Sequence, residues 1–103
     1  MTQWLRCYWD EEDIWFYFEA DDQGWVTRQV ELQGSRHQPI TAASLSEWQQ
    51  ALDAGGIREY ESRYGGIADT PLTEWSGHNP EYLSQQVFEN VWVAARDAID
   101  AAD

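Results

Sequence analysis

The chain has 103 residues, and 6 arginines against 19 acidic residues give it a formal net charge of −13. This length fits one domain, residues 1–103, and 43% hydrophobic with 15% aromatic residues argues against disorder. The charge excludes phosphate recognition by clustered lysines and arginines, and no apolar run approaches the ~20 residues that span a membrane. We therefore expect no nucleic-acid partner and no membrane partner.

The single cysteine bears on the compartment. Cys7 has no second cysteine with which to form an internal disulfide. Disulfides persist in oxidising compartments and are rare in the cytosol. The sequence also lacks a basic segment followed by an apolar leader. We expect a cytoplasmic protein.

The first third of the chain predicts three β-strands. Aromatic and β-branched residues dominate residues 4–9, 14–19 and 25–32. Short polar segments join them, residues 10–13 and 21–24, and Gly24 can supply a positive φ in the second turn. Three strands joined by tight turns predict an antiparallel meander.

Strict alternation along these strands separates two faces of the sheet. The predicted core face, to be covered by helices, holds Leu5, Cys7, Ile14, Phe16, Phe18, Val26, Val30 and Leu32. The predicted reverse face holds Trp4, Arg6, Tyr8, Trp15, Tyr17, Glu19, Trp25, Gln29 and Glu31. The reverse face is thus both aromatic and polar.

The middle of the chain predicts a loop and two helices. Residues 34–43 have loop composition. Ser44 and Glu47 have the spacing of a capping box, and the helix that they begin ends at Gly55-Gly56. Tyrosines at helical spacing predict a second helix over residues 57–64, ended by Gly65.

The last third predicts a loop and a long helix. Residues 68–78, with Pro71 and Trp75, form the predicted loop. Asn79-Pro80 is typical of a helix start, and the helix should continue to about residue 102. Its apolar stripe is Phe88, Val91, Trp92, Ala95 and Ile99. The predicted fold is α+β: a three-stranded antiparallel meander with two to three helices packed on one face.

One resemblance accompanies this interpretation. The first third of the chain has a pattern of Trp4-Leu5-Arg6-Cys7-Tyr8-Trp9, an acidic loop, an aromatic strand, a turn and then Arg28-Gln29-Val30-Glu31. This pattern resembles that of a family of small bacterial proteins of unknown function. The resemblance covers mainly residues 4–32. It implies a bacterial cytosolic setting and no particular activity.

Charge and aromatic content together favour a non-catalytic, acidic protein-binding module that engages a basic partner, as antitoxin or immunity proteins do. Trp and Tyr dominate interface energetics, and acidic loops steer basic partners. The predicted contact residues are Trp4, Tyr8, Trp15, Tyr17, Trp25, Asp10, Glu11, Glu12 and Asp13. Alternatively, the C-terminal helix or the 68–75 loop covers the aromatic face as a second core layer.

Two other functions remain open. A small enzyme or small-molecule-binding protein could use an aromatic pocket with Arg6, Glu19, Arg28 and Glu31, and a carbohydrate-binding domain could stack sugars on tryptophans. No motif assigns a catalytic residue or a cofactor. The turn at residues 10–13 lacks calcium-loop spacing, so no metal is predicted.

The expected assembly is a homodimer. A helix of about 24 residues, roughly 36 Å long, exceeds what a short three-stranded sheet can cover. The aromatic face adds a second surface to be covered, and the homodimer is the commonest oligomer.

Overall fold

A computed structural model of the chain describes residues 1–72 and 77–102. These residues form an α+β fold. The strands are β1 (Gln3–Trp9), β2 (Ile14–Ala20), β3 (Val26–Gln33), β4 (Gln38–Ser44) and β5 (Glu81–Tyr82), and the helices are α1 (Leu45–Asp53), α2 (Ile57–Tyr64) and α3 (Gln85–Ala101). The predicted loop containing Trp75 lies partly outside the described residues.

The sheet is antiparallel, in the order β4-β3-β2-β1-β5. The meander of β1, β2 and β3 is confirmed, but the described sheet has five strands rather than three. β4 forms where a loop was predicted from Pro39 and its polar neighbours. Proline is tolerated there because β4 is an edge strand and Pro39 lies beside a β-bulge, where the register slips at Ile40.

The segment before α3 is a strand rather than the start of a helix. Asn79 has a φ of +52°, and Tyr82 pairs with Leu5 of β1. α3 begins only after Ser84, whose hydroxyl accepts a hydrogen bond from the backbone N–H of Val87 at 3.2 Å. The prediction of a helix from Asn79 was wrong, because the edge of β1 offers hydrogen-bonding partners and Ser84 supplies a competing N-cap.

A β-bulge changes the face of β3 partway along the strand. Glu19 pairs with Arg28 and Ala20 with Val26, which leaves Thr27 as the extra residue. Strict alternation therefore fails at this point, and Val30 lies on the opposite face from Val26. The prediction that placed Val26, Val30 and Leu32 together was wrong, as was the placement of Gln29 and Glu31 on the reverse face.

Both faces of the sheet are consequently core. One cluster contains Leu5, Cys7, Ile14, Phe16, Phe18 and Val26, with Ile67, Ala68 and Leu72 packed against it. The other contains Tyr17, Val30, Leu32, Ala42, Phe88 and Ala95, with Trp4, Trp15 and Trp92 packed against it. α3 thus covers the predicted reverse face, and the arrangement with the helices on one face only, over Leu5 and Phe18, was wrong.

The two central helices begin and end as predicted. Ser44 caps α1 by accepting from the backbone N–H of Glu47 at 3.4 Å. The Glu47 carboxylate does not complete the capping box; it accepts from the Tyr60 hydroxyl of α2 at 2.8 Å. Gly65 ends α2 with a φ of +86°. No helix in the described ranges combines the length and apolar character needed to cross a bilayer.

Candidate functional site: the acidic turn and its cavity

The four carboxylates of residues 10–13 form the turn between β1 and β2, here called the acidic turn, and all four are exposed. The backbone N–H of Asp13 donates to the carbonyl of Asp10 at 3.3 Å. Asp13 takes a φ of +54°, a conformation that aspartate adopts more readily than most residues. The Tyr8 hydroxyl donates to the Asp13 carboxylate at 2.6 Å, and this bond raises the pKa of Tyr8.

Two aromatic rings lie beside the acidic turn. Tyr8 and Trp15 are direct partners in the β1–β2 register, and their ring centroids are 4.9 Å apart at an angle of 42°. The Arg6 guanidinium lies 4.6 Å from the Trp15 ring centroid and pairs with Glu81 of β5 at 3.0 Å. Its pKa is raised by hydrogen bonds to Tyr17 and Glu81.

A cavity of about 380 Å³ opens next to these rings, and we call it the turn cavity. It is lined by Tyr8, Asp10, Trp15, Gly77, His78, Asn79 and Glu81. Its wall therefore combines two aromatic rings with two carboxylates. Arg6 already pairs with Glu81 and lies over Trp15, so a cation that enters the cavity would contact chiefly the Tyr8 ring and the Asp10 carboxylate.

The predicted contact residues do not lie together. Tyr8 and Trp15 adjoin the acidic turn, but Tyr17 is only 6% exposed and belongs to the core beneath α3. Trp4 is half-buried in the same layer and donates from its indole to Glu19 at 3.0 Å. Trp25 follows the β2–β3 turn, about 20 Å away along a seven-residue strand.

The alternative pocket of four charged residues does not assemble as one site. Arg28 binds Glu19 through two nitrogens, at 3.0 and 2.6 Å, and also pairs with Glu89 of α3. Burial opposes ionisation of Glu19, but these hydrogen bonds outweigh it and hold its pKa below the ordinary value. Glu31 lies on the other face because of the bulge, and Arg6 pairs elsewhere. Glu19 and Arg28 are therefore a saturated structural pair.

Sequence reasoning missed four lining residues of the turn cavity, Gly77, His78, Asn79 and Glu81, of which Glu81 and His78 carry ionisable side chains. Glu81 lies there because it pairs with Arg6 in the β1–β5 register. His78 packs its ring 6.4 Å from that of Trp9. Glu81 carries no local signal, since the two-residue strand β5 is too short to produce a periodic pattern, and His78 lies before that strand.

Metal and thiol chemistry receive no support at this site. Among the described residues, no group of three or more His, Cys, Asp or Glu side chains is placed to hold a metal ion. Cys7 is buried on the other face, and burial raises the pKa of its thiol. A raised pKa disfavours the thiolate that nucleophilic chemistry needs.

Comparisons of the chain with models of protein families, with curated proteins and with solved structures find no match.

Proposed function

We propose that this protein is a non-catalytic binding domain for a basic partner protein, in the manner of an antitoxin or immunity protein. The acidic turn attracts the partner, and the turn cavity holds one of its arginine side chains. The observation that carries the proposal is a cavity in which the Tyr8 ring and the Asp10 carboxylate lie beside Trp15 and Glu81, the two side chains that hold the chain's own Arg6.

The chain's own arginines support this choice of ligand. Four of them each pair with a carboxylate and lie over an aromatic ring: Arg6, Arg28, Arg63 and Arg96. Ring-to-guanidinium distances run from 3.8 to 5.3 Å. The turn cavity offers a guanidinium the same two kinds of neighbour.

Long-range charge supports a basic partner as well. The chain carries −13, and no basic side chain lies in the acidic turn. Opposite charges accelerate encounter, and salt removes the acceleration as the Debye length falls from ~30 Å at 0.01 M to ~8 Å at 0.15 M. A partner of the same sign would be repelled.

The test is capture of the partner from native lysate, followed by binding kinetics with two variants. Changing all four acidic-turn carboxylates to amides should lower the on-rate at low salt, and it should also raise the off-rate, because Asp10 lines the turn cavity and Asp13 holds the Tyr8 hydroxyl. A matched control removes four exposed carboxylates elsewhere: Asp22, Asp53, Glu59 and Asp97. The control should lower the on-rate much less, since its charges do not flank the cavity.

The second variant removes the anchor. Trp15→Ala should raise the off-rate about 30-fold, the equivalent of ~2 kcal/mol for a hot spot. Trp25→Ala, at the other end of the sheet, should leave it unchanged. The proposal would be refuted if no basic protein is captured, or if Trp15→Ala and Trp25→Ala give equal off-rates.

We further infer a cytoplasmic homodimer. The cytoplasmic setting is supported by Cys7, which is buried and unpaired. The helical stripe that suggested a dimer in the sequence lies on the sheet, where Phe88 and Ala95 are buried. The dimer now rests only on apolar side chains that α3 leaves exposed, Val87 at 44% and Val93 at 53%, and their spacing of six residues places them about 120° apart around the helix.

A further inference from the structure

A second cavity lies at the end of the sheet remote from the acidic turn. Its volume is about 550 Å³, within the range of small-molecule sites. Trp25 and Trp48 are part of its wall, and three carboxylates, those of Asp21, Glu61 and Asp69, line it with them. We call it the tryptophan cavity.

Both tryptophans are tied to carboxylates of the same wall. The indole N–H of Trp48, on α1, donates to Glu61 of α2 at 3.0 Å. The backbone N–H of Trp25 donates to the Asp21 carboxylate at 3.0 Å, and this bond fixes the turn that carries the ring. The wall is thus set by the turn and the two helices before any ligand enters.

The charge of the cavity has one sign. No arginine or histidine is among its lining residues, although the rest of the fold pairs several carboxylates with arginines. Among the described residues, no hydrogen bond or ion pair joins the Asp69 carboxylate to a partner. An anion would be repelled here, and a neutral apolar ligand would leave the carboxylates without a counter-charge.

We propose that the tryptophan cavity binds a small organic cation, an ammonium or guanidinium group attached to an apolar body. The apolar body would contact the rings and the aliphatic side chains of Val26 and Ile67, and the cationic group would face the carboxylates. Cation–π attraction to tryptophan is the strongest of its kind. The site is independent of the proposed partner surface, because the two lie at opposite ends of the sheet.

The experiment titrates the free protein with phenethylammonium, using 2-phenylethanol as the neutral match. Binding is followed by the indole N–H signals of Trp25 and Trp48 in ¹H–¹⁵N spectra. The ammonium should bind at least about tenfold more tightly than the alcohol, since both carry the same ring. It should shift these two indoles and not that of Trp15.

Single-residue variants locate the site. Trp25→Ala should weaken binding about tenfold through loss of cation–π contact, and Asp69→Asn about threefold through loss of one charge. Asp97→Asn removes the same charge from the exposed side of α3 and should have no effect. Trp15→Ala should also retain binding, which separates this result from failure of the partner proposal.

Several results would overturn the assignment. Equal affinity for the ammonium and the alcohol would mean that the cavity recognises only the apolar ring of the probe. Equal effects of Asp69→Asn and Asp97→Asn would mean that only the net charge of the protein attracts the ammonium. A blocked Gly-Arg-Gly peptide that binds at the same indoles more tightly than phenethylammonium would assign the cavity to a protein partner instead. Absence of any shift at 20 mM probe (roughly −2 kcal/mol of binding) would mean no site.

Discussion

Replacing Arg96 by methionine should destabilise the protein by about 3 kcal/mol at pH 7, a large share of the 5–15 kcal/mol typical of a domain. Arg96 links α3 to the edge of the sheet: its Nε donates to the carbonyl of Ala42 at 2.7 Å. It also forms an ion pair with Glu47 of α1. The Tyr60 hydroxyl of α2 lies at the same junction, because it accepts from Ser44 of β4 at 2.9 Å and from Arg96 at 3.3 Å and donates to Glu47 at 2.8 Å.

The magnitude follows from these contacts. A hydrogen bond from a charged donor contributes about 1.5–3 kcal/mol, and each cation–π contact about 0.5–1 kcal/mol. The guanidinium lies 3.8 Å from the Tyr64 ring and 4.5 Å from the Trp92 ring. The ion pair adds little, about 0.5–1 kcal/mol, because the Glu47 side chain is 43% exposed. Methionine keeps part of the contact with the two rings, so the expected loss of unfolding free energy lies near the lower end of the sum of these contributions.

The loss should depend on pH. Burial opposes ionisation of Glu47, but hydrogen bonds from Arg96 and Tyr60 outweigh it and hold its pKa below the ordinary value. A carboxylate with a lowered folded pKa stabilises the fold above its unfolded pKa, about 4.3, and this contribution is lost as the pH falls through the folded pKa. The stability gap between wild type and Arg96→Met should therefore narrow below about pH 4.

Urea denaturation at pH 7 and pH 3.5, followed by far-ultraviolet circular dichroism, measures both effects. Glu47→Gln and the double variant complete a cycle whose coupling energy should shrink at the lower pH. Arg36→Met, at an exposed position of the β3–β4 turn, is the matched control and should change stability by less than about 0.5 kcal/mol. Equal losses for Arg96→Met and Arg36→Met, or a gap that does not change with pH, would refute the reasoning.

Two further predictions concern the end of α2 and the assembly. Gly65→Ala should lower the free energy of unfolding in urea by about 2–4 kcal/mol, because Gly65 has φ +86° and ψ −172° and an added Cβ would lie 2.6 Å from the Thr41 side chain. Gly34→Ala is the control: Gly34 has φ +78° but an added Cβ would have nothing within 4 Å, so the loss should be only about 1 kcal/mol. Light scattering at high micromolar concentration should return twice the 12.0 kDa mass of the chain, and a monomer mass would exclude the homodimer.

Local signals predicted most of the elements. The meander, α1 and α2 follow from alternation, tight turns and helix caps, which are properties of a few neighbouring residues. Ser44 and Gly65 occupy the positions that their chemistry indicates. These elements form where propensity and tertiary packing agree.

The errors arose where a distant partner decides the local structure. Pro39 reads as a loop residue, yet pairing with Leu32 of β3 makes its segment an edge strand. The bulge at Thr27 is supported by its hydroxyl, which donates to the backbone carbonyl of Glu19 at 3.1 Å, and no period-two pattern reveals such a bond. One extra residue in β3 moved Val30 and Leu32 to the other face.

The sequence could predict only the part of the candidate site that is built from neighbouring residues of one hairpin. Tyr8, Trp15 and the acidic turn are neighbours in a single hairpin, so their proximity follows from strand pairing. Glu81 reaches the same place from the far end of the chain through β5. Trp25 is aromatic like Tyr8 and Trp15, but it follows the next turn. Successive turns of a meander lie at opposite ends of the sheet, so Trp25 lies far from the site.

The way in which the chain binds its own arginine side chains indicates which kind of cation the turn cavity would prefer. The central carbon of the Arg6 guanidinium is 4.6 Å from the Trp15 ring centroid, and two of the Arg6 nitrogens reach Glu81 at 3.0 and 3.3 Å. A planar guanidinium can stack on a ring and donate in its own plane, whereas a lysine ammonium is a compact charge that stays strongly hydrated. The chain contains no lysine. Because Arg6 already occupies Trp15 and Glu81, a side chain of the proposed partner would meet Tyr8 and Asp10, a ring and a carboxylate that a guanidinium can contact in the same way as Arg6 contacts its own pair. On this view Asp10 contributes both to the cavity and to the charge of the acidic turn, whereas Glu11 and Glu12 contribute charge alone.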